Sequence, residues 1–134
     1  MTRRPQIGWL ADRRRLHLQD GPIDLIVEAH GANGDVQLAY EAATHRFTGL
    51  LDELCAELPE LRRPARPDVC LLQGGIARRM RAAVAPFAAA HFITPMAAVA
   101  GAVAEEILGV MVDAANLRRA YVNNGGDIAL HLAP

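Results

Sequence analysis

The stretch LHLQDGPIDLIVEA, Leu16–Ala29, carries the clearest fold signal in the sequence. Apolar and polar residues alternate from Arg15 to Gln19, as they do in a half-buried strand. Asp20-Gly21-Pro22 interrupts the pattern, and Ile23 to Ala29 then places Leu, Val and Ala side chains on one face. The stretch therefore predicts a β-hairpin.

Helical spacing of apolar residues follows this hairpin. It extends from about Val36 to Leu58, and Pro59 is expected to end that helix. Gly74-Gly75 is expected to open a second helix, from about Ile76 to Ala90, with Pro86 near its middle or marking a break. Thr94, as the cap, and Pro95 begin a third helix that continues to about Val112.

Short strands are predicted between and after the helices, at Val69 to Leu72, Ala120 to Val122 and Asp127 to Leu132. Strands and helices mix without a regular βαβ alternation. The expected class is therefore α+β.

Length and composition narrow the classes of function. A chain of 134 residues is long enough for one domain. Its net charge of −1 creates no overall electrostatic potential that would attract nucleic acid or a membrane surface. Cys55 and Cys70 form no CxxC pair, and the N-terminus has no apolar signal region, so we expect a cytoplasmic protein. The apolar run from Ala82 to Ala104 contains Pro86, His91 and Pro95, which argues against a membrane span.

The segment FITPMAAVAGAVAEEIL, Phe92–Leu108, predicts a helix with an unusual start. It has no acidic residue before Glu105, and small residues predominate after Met96. Bare amides and small side chains suit a phosphate or pyrophosphate. A buried helix that needs alanine and glycine to pack closely explains the same pattern.

The segment VNNGGDIAL, Val122–Leu130, also has two interpretations. Its two glycines permit positive φ, and its Asn and Asp side chains are short and polar, as in a nest that binds a nucleotide. Asn-Gly is also the usual signal of a β-hairpin turn, which the residues alone favour.

Other motifs are weaker. The five histidines have no HxH, HxxxH or HExxH spacing, so no metal site is predicted. Gly74-Gly75-Ile76-Ala77-Arg78-Arg79 resembles a phosphate loop only loosely and is better interpreted as a helix entrance.

Taken together, HLQDGPIDLIVEA, FITPMAAVAGAVAEEIL and VNNGGDIAL resemble the cytoplasmic branch of the ApbE-like flavin-transferase superfamily. The resemblance extends over Leu16 to Leu132 and implies an α+β fold in which a mixed sheet packs against helices. It covers only the N-terminal part of that domain, residues 1–134, with residues 1–14 as a flexible arm. The sheet is accordingly expected to be incomplete.

The resemblance implies a site for a flavin nucleotide, FAD or FMN, and a magnesium-dependent transfer of FMN from FAD to a protein. Magnesium is expected only if a separate C-terminal half supplies the metal ligands, because the family's T-S-G and D-A-x-x-T segments are absent. Ala100 and Glu105 stand where the family carries lysine and aspartate, so transfer by this chain alone is not predicted, and no catalytic residue is assigned.

The cofactor-binding residues implied lie in the two later motifs: Thr94, Pro95, Met96, Ala97, Gly101, Asn123, Asn124, Gly125, Gly126 and Asp127. The expected partners are the flavin nucleotide and either a C-terminal partner half or further copies of this chain, with no nucleic acid and no membrane. The alternative function is a non-catalytic structural or interaction half that pairs with a C-terminal partner chain.

Overall fold

The structure is a computed structural model and describes residues 5–134. Its sheet has five strands in chain order, β1 (Gln6–Trp9), β2 (Leu16–Asp20), β3 (Ile23–Gly31), β4 (Leu117–Asn124) and β5 (Asp127–Leu132). All neighbouring strands are antiparallel. The α+β class is confirmed. The sheet is antiparallel rather than mixed, because β4 begins beside the end of β3 and therefore runs in the opposite direction.

The helices all lie between β3 and β4. They are α1 (Asn33–Phe47), α2 (Leu50–Ala56), α3 (Leu58–Leu61), α4 (Gly75–Val84) and α5 (Val99–Ala114), with 3-10 helices at Ala85–Phe87 and Pro95–Ala98. Of these, α1 and α5 pack against each other and against the sheet. The excursion ends with Leu117 beside Gly31.

The predicted hairpin is confirmed as β2 and β3, with Leu16 opposite Val27 and Leu18 opposite Leu25. These four side chains are buried, while the alternate positions are more exposed. The alternation of the sequence therefore corresponds to one face of the sheet against the helices and one face outward.

The most apolar helix is part of the core. The segment Pro95–Ala114 has the length and mean hydropathy, 1.6, of a membrane-spanning helix. Its Val103, Ile107 and Met111 are nevertheless fully buried within the protein's own core. In this fold the segment packs against α1, α4 and the strands β4 and β5.

Two helix predictions need correction. The helix predicted from Val36 to Leu58 is divided at Gly49, whose φ of 83° lies in the left-handed region and ends the helical hydrogen bonding. Pro59 does not end this helix. It lies in the first turn of α3, where the missing amide N–H costs no intrahelical hydrogen bond.

The middle of the chain is less regular than predicted. Val69 to Leu72 is not a strand: only Leu72 is buried, and the backbone N–H of the following Gln73 donates to a side chain, the Glu57 carboxylate, at 2.6 Å. The helix predicted to reach about Ala90 ends at Val84, and the 3-10 helix Ala85–Phe87 that follows contains Pro86, so the break at Pro86 is the alternative that holds.

The predicted flexible arm, residues 1–14, is also corrected where the structure describes it. Residues 6–9 form β1, which pairs with β2 from Gln6 opposite Gln19 to Trp9 opposite Leu16. Hydrogen bonds Leu10 N to Arg15 O and Arg13 N to Leu10 O, both 2.9 Å, close the turn that follows. Residues 1–4 lie outside the described part of the chain.

Candidate binding sites

The two segments predicted to share a site are neighbours in the fold. The Asn124 side-chain Nδ2 donates to the carbonyl oxygen of Ala100 at 3.2 Å, which joins the end of β4 to the first turn of α5. Helix α5 contacts both β4 and β5. Tertiary structure therefore brings the glycine pair and the small-residue helix start to one end of the sheet.

The segment Val122–Leu130 forms a β-hairpin. Gly125 and Gly126, with φ of 62° and 106°, make a two-residue turn between the paired residues Asn124 and Asp127. Asn123 Oδ1 accepts the Gly126 backbone N–H at 2.8 Å. Both asparagine side chains therefore already have partners within the protein.

The helix start is less bare than the sequence suggests. Thr94 precedes it without a side-chain capping bond, and the first turn is a 3-10 helix in which Pro95 is buried. The Ala97 N–H donates to Thr94 O at 3.1 Å, and the Val99 N–H donates to Met96 O. Two backbone N–H groups at this helix start, which could otherwise bind an anion, are thus already hydrogen-bonded within the protein.

Open space nevertheless remains at this junction. A Cβ atom added at Gly101, Gly125 or Gly126 would meet nothing within 4 Å. Ala97 and Asp127 are exposed, and Met96 is half-buried. Gly101, Gly125 and Gly126 therefore each leave open space beside the backbone.

Close packing accounts for part of the small-residue pattern. Ala102 and Ala104 are 5% and 1% exposed and belong to the core, next to the fully buried Val103. Larger side chains at the two alanines would meet closely packed neighbours. Packing explains these alanines but not Gly101, which faces open space.

The loose phosphate-loop pattern at Gly74-Gly75 is filled by a carboxylate of the protein. The Glu57 side chain accepts the Gly74 N–H at 2.9 Å as well as the Gln73 N–H. A Cβ at Gly74 would lie 2.9 Å from Glu57 Oε2. The start of α4 is therefore occupied by an internal anion.

No group of three or more His, Cys, Asp or Glu side chains within residues 5–134 is arranged to hold a metal ion. Glu105, at the position where the resembled family carries aspartate, lies 3.7 Å from the Arg79 guanidinium. Cys55 and Cys70 are free thiols at the surface.

Strand β5 presents an apolar row that the sequence analysis did not single out. Ile128, Leu130 and Leu132 alternate along one face and are 60%, 58% and 64% exposed. The intervening Ala129 packs against the core. Within the described chain β5 pairs only with β4, so one edge of β5 is free as well.

A groove of about 960 Å³ lies between β1 and α1. We call it the β1–α1 groove; it is lined by Trp9, Leu16 and Tyr40 and by the cationic side chains Arg13, Arg14 and Arg118. Sequence reasoning missed it because its walls come from separate parts of the chain. The only local signal was the cluster Arg13 to Arg15.

Comparison with known proteins assigns the family. No curated protein matches the chain. The family described as AbpE bacteria has a sequence model that matches residues 7–134, almost the entire length. It is a different family from the one the motifs suggested, so the predicted membership in the ApbE-like flavin-transferase superfamily is wrong. The chain belongs to the AbpE bacteria family.

Proposed function

We propose that this chain is a non-catalytic interaction domain that pairs through β5 with a second copy of itself. One observation carries the proposal: the free edge strand has three aliphatic side chains in a row, each more than half exposed. Proteins usually protect such an edge with charges, proline or a covering element. Over Ile128 to Leu132 this strand has no charged carboxylate, Lys, Arg or Pro.

The sequence of β5 is compatible with pairing about a two-fold axis. In an antiparallel pair, residues directly opposite each other point to the same face. Placing Leu130 opposite Leu130 of the partner subunit then puts Ile128 opposite Leu132 of the partner subunit. All six aliphatic side chains join on the outer face, and no like charges stand opposite each other.

The test is the mass of the protein in solution, measured by light scattering during size exclusion over a range of concentrations. We expect a species of twice the 14.4 kDa chain mass. Leu130→Lys should produce the monomer, since lysine at an edge strand opposes pairing. Leu71→Lys, at a residue 60% exposed outside the sheet, is the matched control and should leave the dimer intact.

A cross-linking variant tests the register. In a background with Cys55→Ser and Cys70→Ser, Leu130→Cys should form a disulfide-linked dimer, because opposite Cα atoms in such a pair are about 4.5–5.5 Å apart. Leu132→Cys should not, because it faces position 128. A wild-type chain that stays monomeric contradicts self-pairing and favours a strand from a different partner chain on β5.

A second candidate function is nucleotide binding at the junction of α5 and the β4–β5 turn, with FAD and FMN as the first ligands to test. The bond from Asn124 to Ala100 and the open glycine positions support it. Magnesium would enter only with a partner that supplies its ligands.

Two glycines of α5 allow a matched test of this second function. Gly101 borders the junction and Gly109 lies further along the same helix, and both have open space at Cβ. Gly101→Gln should weaken flavin binding, measured by fluorescence titration, whereas Gly109→Gln should not. No change in flavin fluorescence with wild-type protein would eliminate the idea.

We also propose a cytoplasmic location, which the two exposed thiols Cys55 and Cys70 support. Thiol labelling after cell fractionation tests it. Recovery of the protein in an oxidising compartment would contradict it.

A further inference from the structure

We propose that the β1–α1 groove is a binding site for a small planar aromatic anion, such as an aryl phosphate. It lies at the far side of the sheet from β5 and is independent of the pairing proposed above. The site combines an aromatic surface with three guanidinium groups, and a separate structural device positions the backbone that carries each of these parts.

The first device is the turn between β1 and β2, which carries Arg13 and Arg14. The Asp12 carboxylate accepts the backbone N–H groups of Arg14 at 2.9 Å and Arg15 at 3.1 Å, and it also binds Arg15 Nε at 2.8 Å. Arg13 has a φ of 58°, in the left-handed region that side-chain-bearing residues rarely adopt. The turn is therefore built to a defined shape and presents two adjacent arginines to the groove.

The second device is the Tyr40 hydroxyl. It accepts the Ala29 N–H at 3.0 Å and donates to Arg14 O at 2.5 Å, just beyond the last β2–β3 pair, Leu16 with Val27. The hydroxyl thus bridges a backbone N–H of β3 and a backbone carbonyl before β2 that have no direct hydrogen bond to each other. It attaches the arginine turn to the end of β3 and places the Tyr40 ring in the groove.

The third device is a β-bulge between β3 and β4. The pairing passes from His30 with Arg119 to Gly31 with Leu117, which leaves Arg118 as the extra residue. Bulges redirect side chains at sheet edges and binding sites. Gly31 permits the close approach, because a Cβ there would lie 3.2 Å from Asn116 O. The bulge brings a third guanidinium to the groove wall.

The arginines of the groove are available to a ligand. Within residues 5–134, the side chains of Arg13, Arg14 and Arg118 make no hydrogen bond or ion pair. Two carboxylates also line the groove, but Glu28 lies 3.6 Å from His30 and Glu41 accepts a hydrogen bond from Gln37. The three guanidinium groups outnumber these two carboxylates, so the groove has a net positive charge. Guanidinium groups bind phosphate and carboxylate with paired hydrogen bonds.

The aromatic surface specifies the rest of the ligand. Trp9 meets Tyr40 edge-on, with ring centroids 5.2 Å apart and an angle of 84° between the rings. Trp9 remains 54% exposed and Ile7 beside it is 46% exposed. The Trp9 indole is exposed and lies next to unpaired guanidinium groups. A ligand with a flat aromatic ring could stack on the indole while its anionic group binds the arginines.

The experiment uses the whole chain and its single tryptophan. The probe is 2-naphthyl phosphate, and 2-naphthol, which has the same ring without the charge, is the control ligand. Titration should shift the Trp9 indole N–H cross-peak in a ¹H–¹⁵N spectrum and give a dissociation constant below about 1 mM by calorimetry. 2-Naphthol should bind at least about tenfold more weakly.

Variants distinguish the groove from nonspecific adsorption. Arg13→Gly removes one guanidinium and keeps the backbone shape, since glycine adopts positive φ freely. Combined with Arg118→Ala it should weaken phosphate binding at least about tenfold, with an unchanged circular dichroism spectrum. Arg62→Ala, at an exposed arginine outside the groove, should leave binding unchanged. Equal affinity for both ligands, or a Trp9 cross-peak that does not move, would overturn the proposal.

Discussion

At the residue scale, two side chains near the β1–β2 turn account for much of its order. Tyr40 supplies a hydroxyl where the strand ladder lacks a partner, and Asp12 supplies a carboxylate where the turn leaves amides unpaired. Burial is the main cause that raises the pKa of Tyr40, so its hydroxyl remains a hydrogen-bond donor at neutral pH.

We expect Tyr40→Phe to lower the free energy of unfolding by about 1–3 kcal/mol, because the buried Ala29 N–H then loses its acceptor. Urea denaturation measures this value. Tyr121→Phe is the control: Tyr121 is only half-buried, and its hydroxyl interacts with Glu28 near the surface, so its loss should cost less. Equal costs for the two variants would contradict the bridging role of Tyr40.

The Asp12 carboxylate provides a prediction about pH. Hydrogen bonds from the Arg14 backbone and the Arg15 side chain and backbone lower the pKa of Asp12 from 3.8 to about 2. Because the folded-state pKa is depressed, the stabilisation is present above about pH 4 and disappears as the pH falls toward 2. Carboxyl ¹³C NMR should place the Asp12 midpoint near 2, and a midpoint near 3.8 would show that the turn does not hold the carboxylate.

At the scale of elements, the break between α1 and α2 depends on one residue. Gly49 has a φ of 83° and open space around it, so backbone conformation rather than crowding requires glycine there. Its turn sets the direction in which the buried Leu50, Leu51 and Leu54 of α2 meet the core.

Gly49→Ala should therefore destabilise the protein by about 1–2 kcal/mol, the cost of a left-handed conformation for a residue with a Cβ. Gly109→Ala, in the middle of α5 and also without neighbours within 4 Å, should stabilise it by up to about 1 kcal/mol. Thermal unfolding of both variants measures these opposite signs. A stabilised Gly49→Ala variant would mean that α1 and α2 form one continuous helix.

At the scale of the whole molecule, stability and association depend on different apolar groups. The core lies between the inner face of the sheet and the helices, with Ile107 of α5 fully buried. Ile128 of β5 is 60% exposed on the opposite face. Ile107 thus stabilises the folded chain, whereas Ile128 would stabilise the proposed dimer.

Ile107→Ala should cost about 2–5 kcal/mol at every protein concentration, since it leaves a cavity in the core. Ile128→Ala should cost little in dilute solution and more as the concentration rises, because only the dimer buries it. Urea denaturation of both variants at a low and a high protein concentration measures the two free energies of unfolding. An Ile128→Ala effect that is the same at both would count against pairing through β5.

Local patterns were sufficient for several parts of this protein. The alternation in Leu16–Ala29 predicted the first hairpin, and a hairpin turn was one of the two interpretations of the glycine pair Gly125-Gly126, because strand faces and turn geometry depend on neighbouring residues. The α+β class followed from the same periodicities. The motif resemblance, by contrast, led to the wrong family, since short apolar and glycine-containing segments are shared by unrelated proteins.

The sequence by itself determined the β2–β3 hairpin, the approximate positions of the helices and the overall charge of −1. Tertiary structure alone decided that β4 returns beside β3, that the Tyr40 hydroxyl joins Arg14 to Ala29, and that a bulge brings Arg118 to the groove. The physical reason is the distance along the chain over which each interaction acts. Dihedral preferences and side-chain alternation act between near neighbours, whereas a groove or a free sheet edge exists only after distant segments have packed.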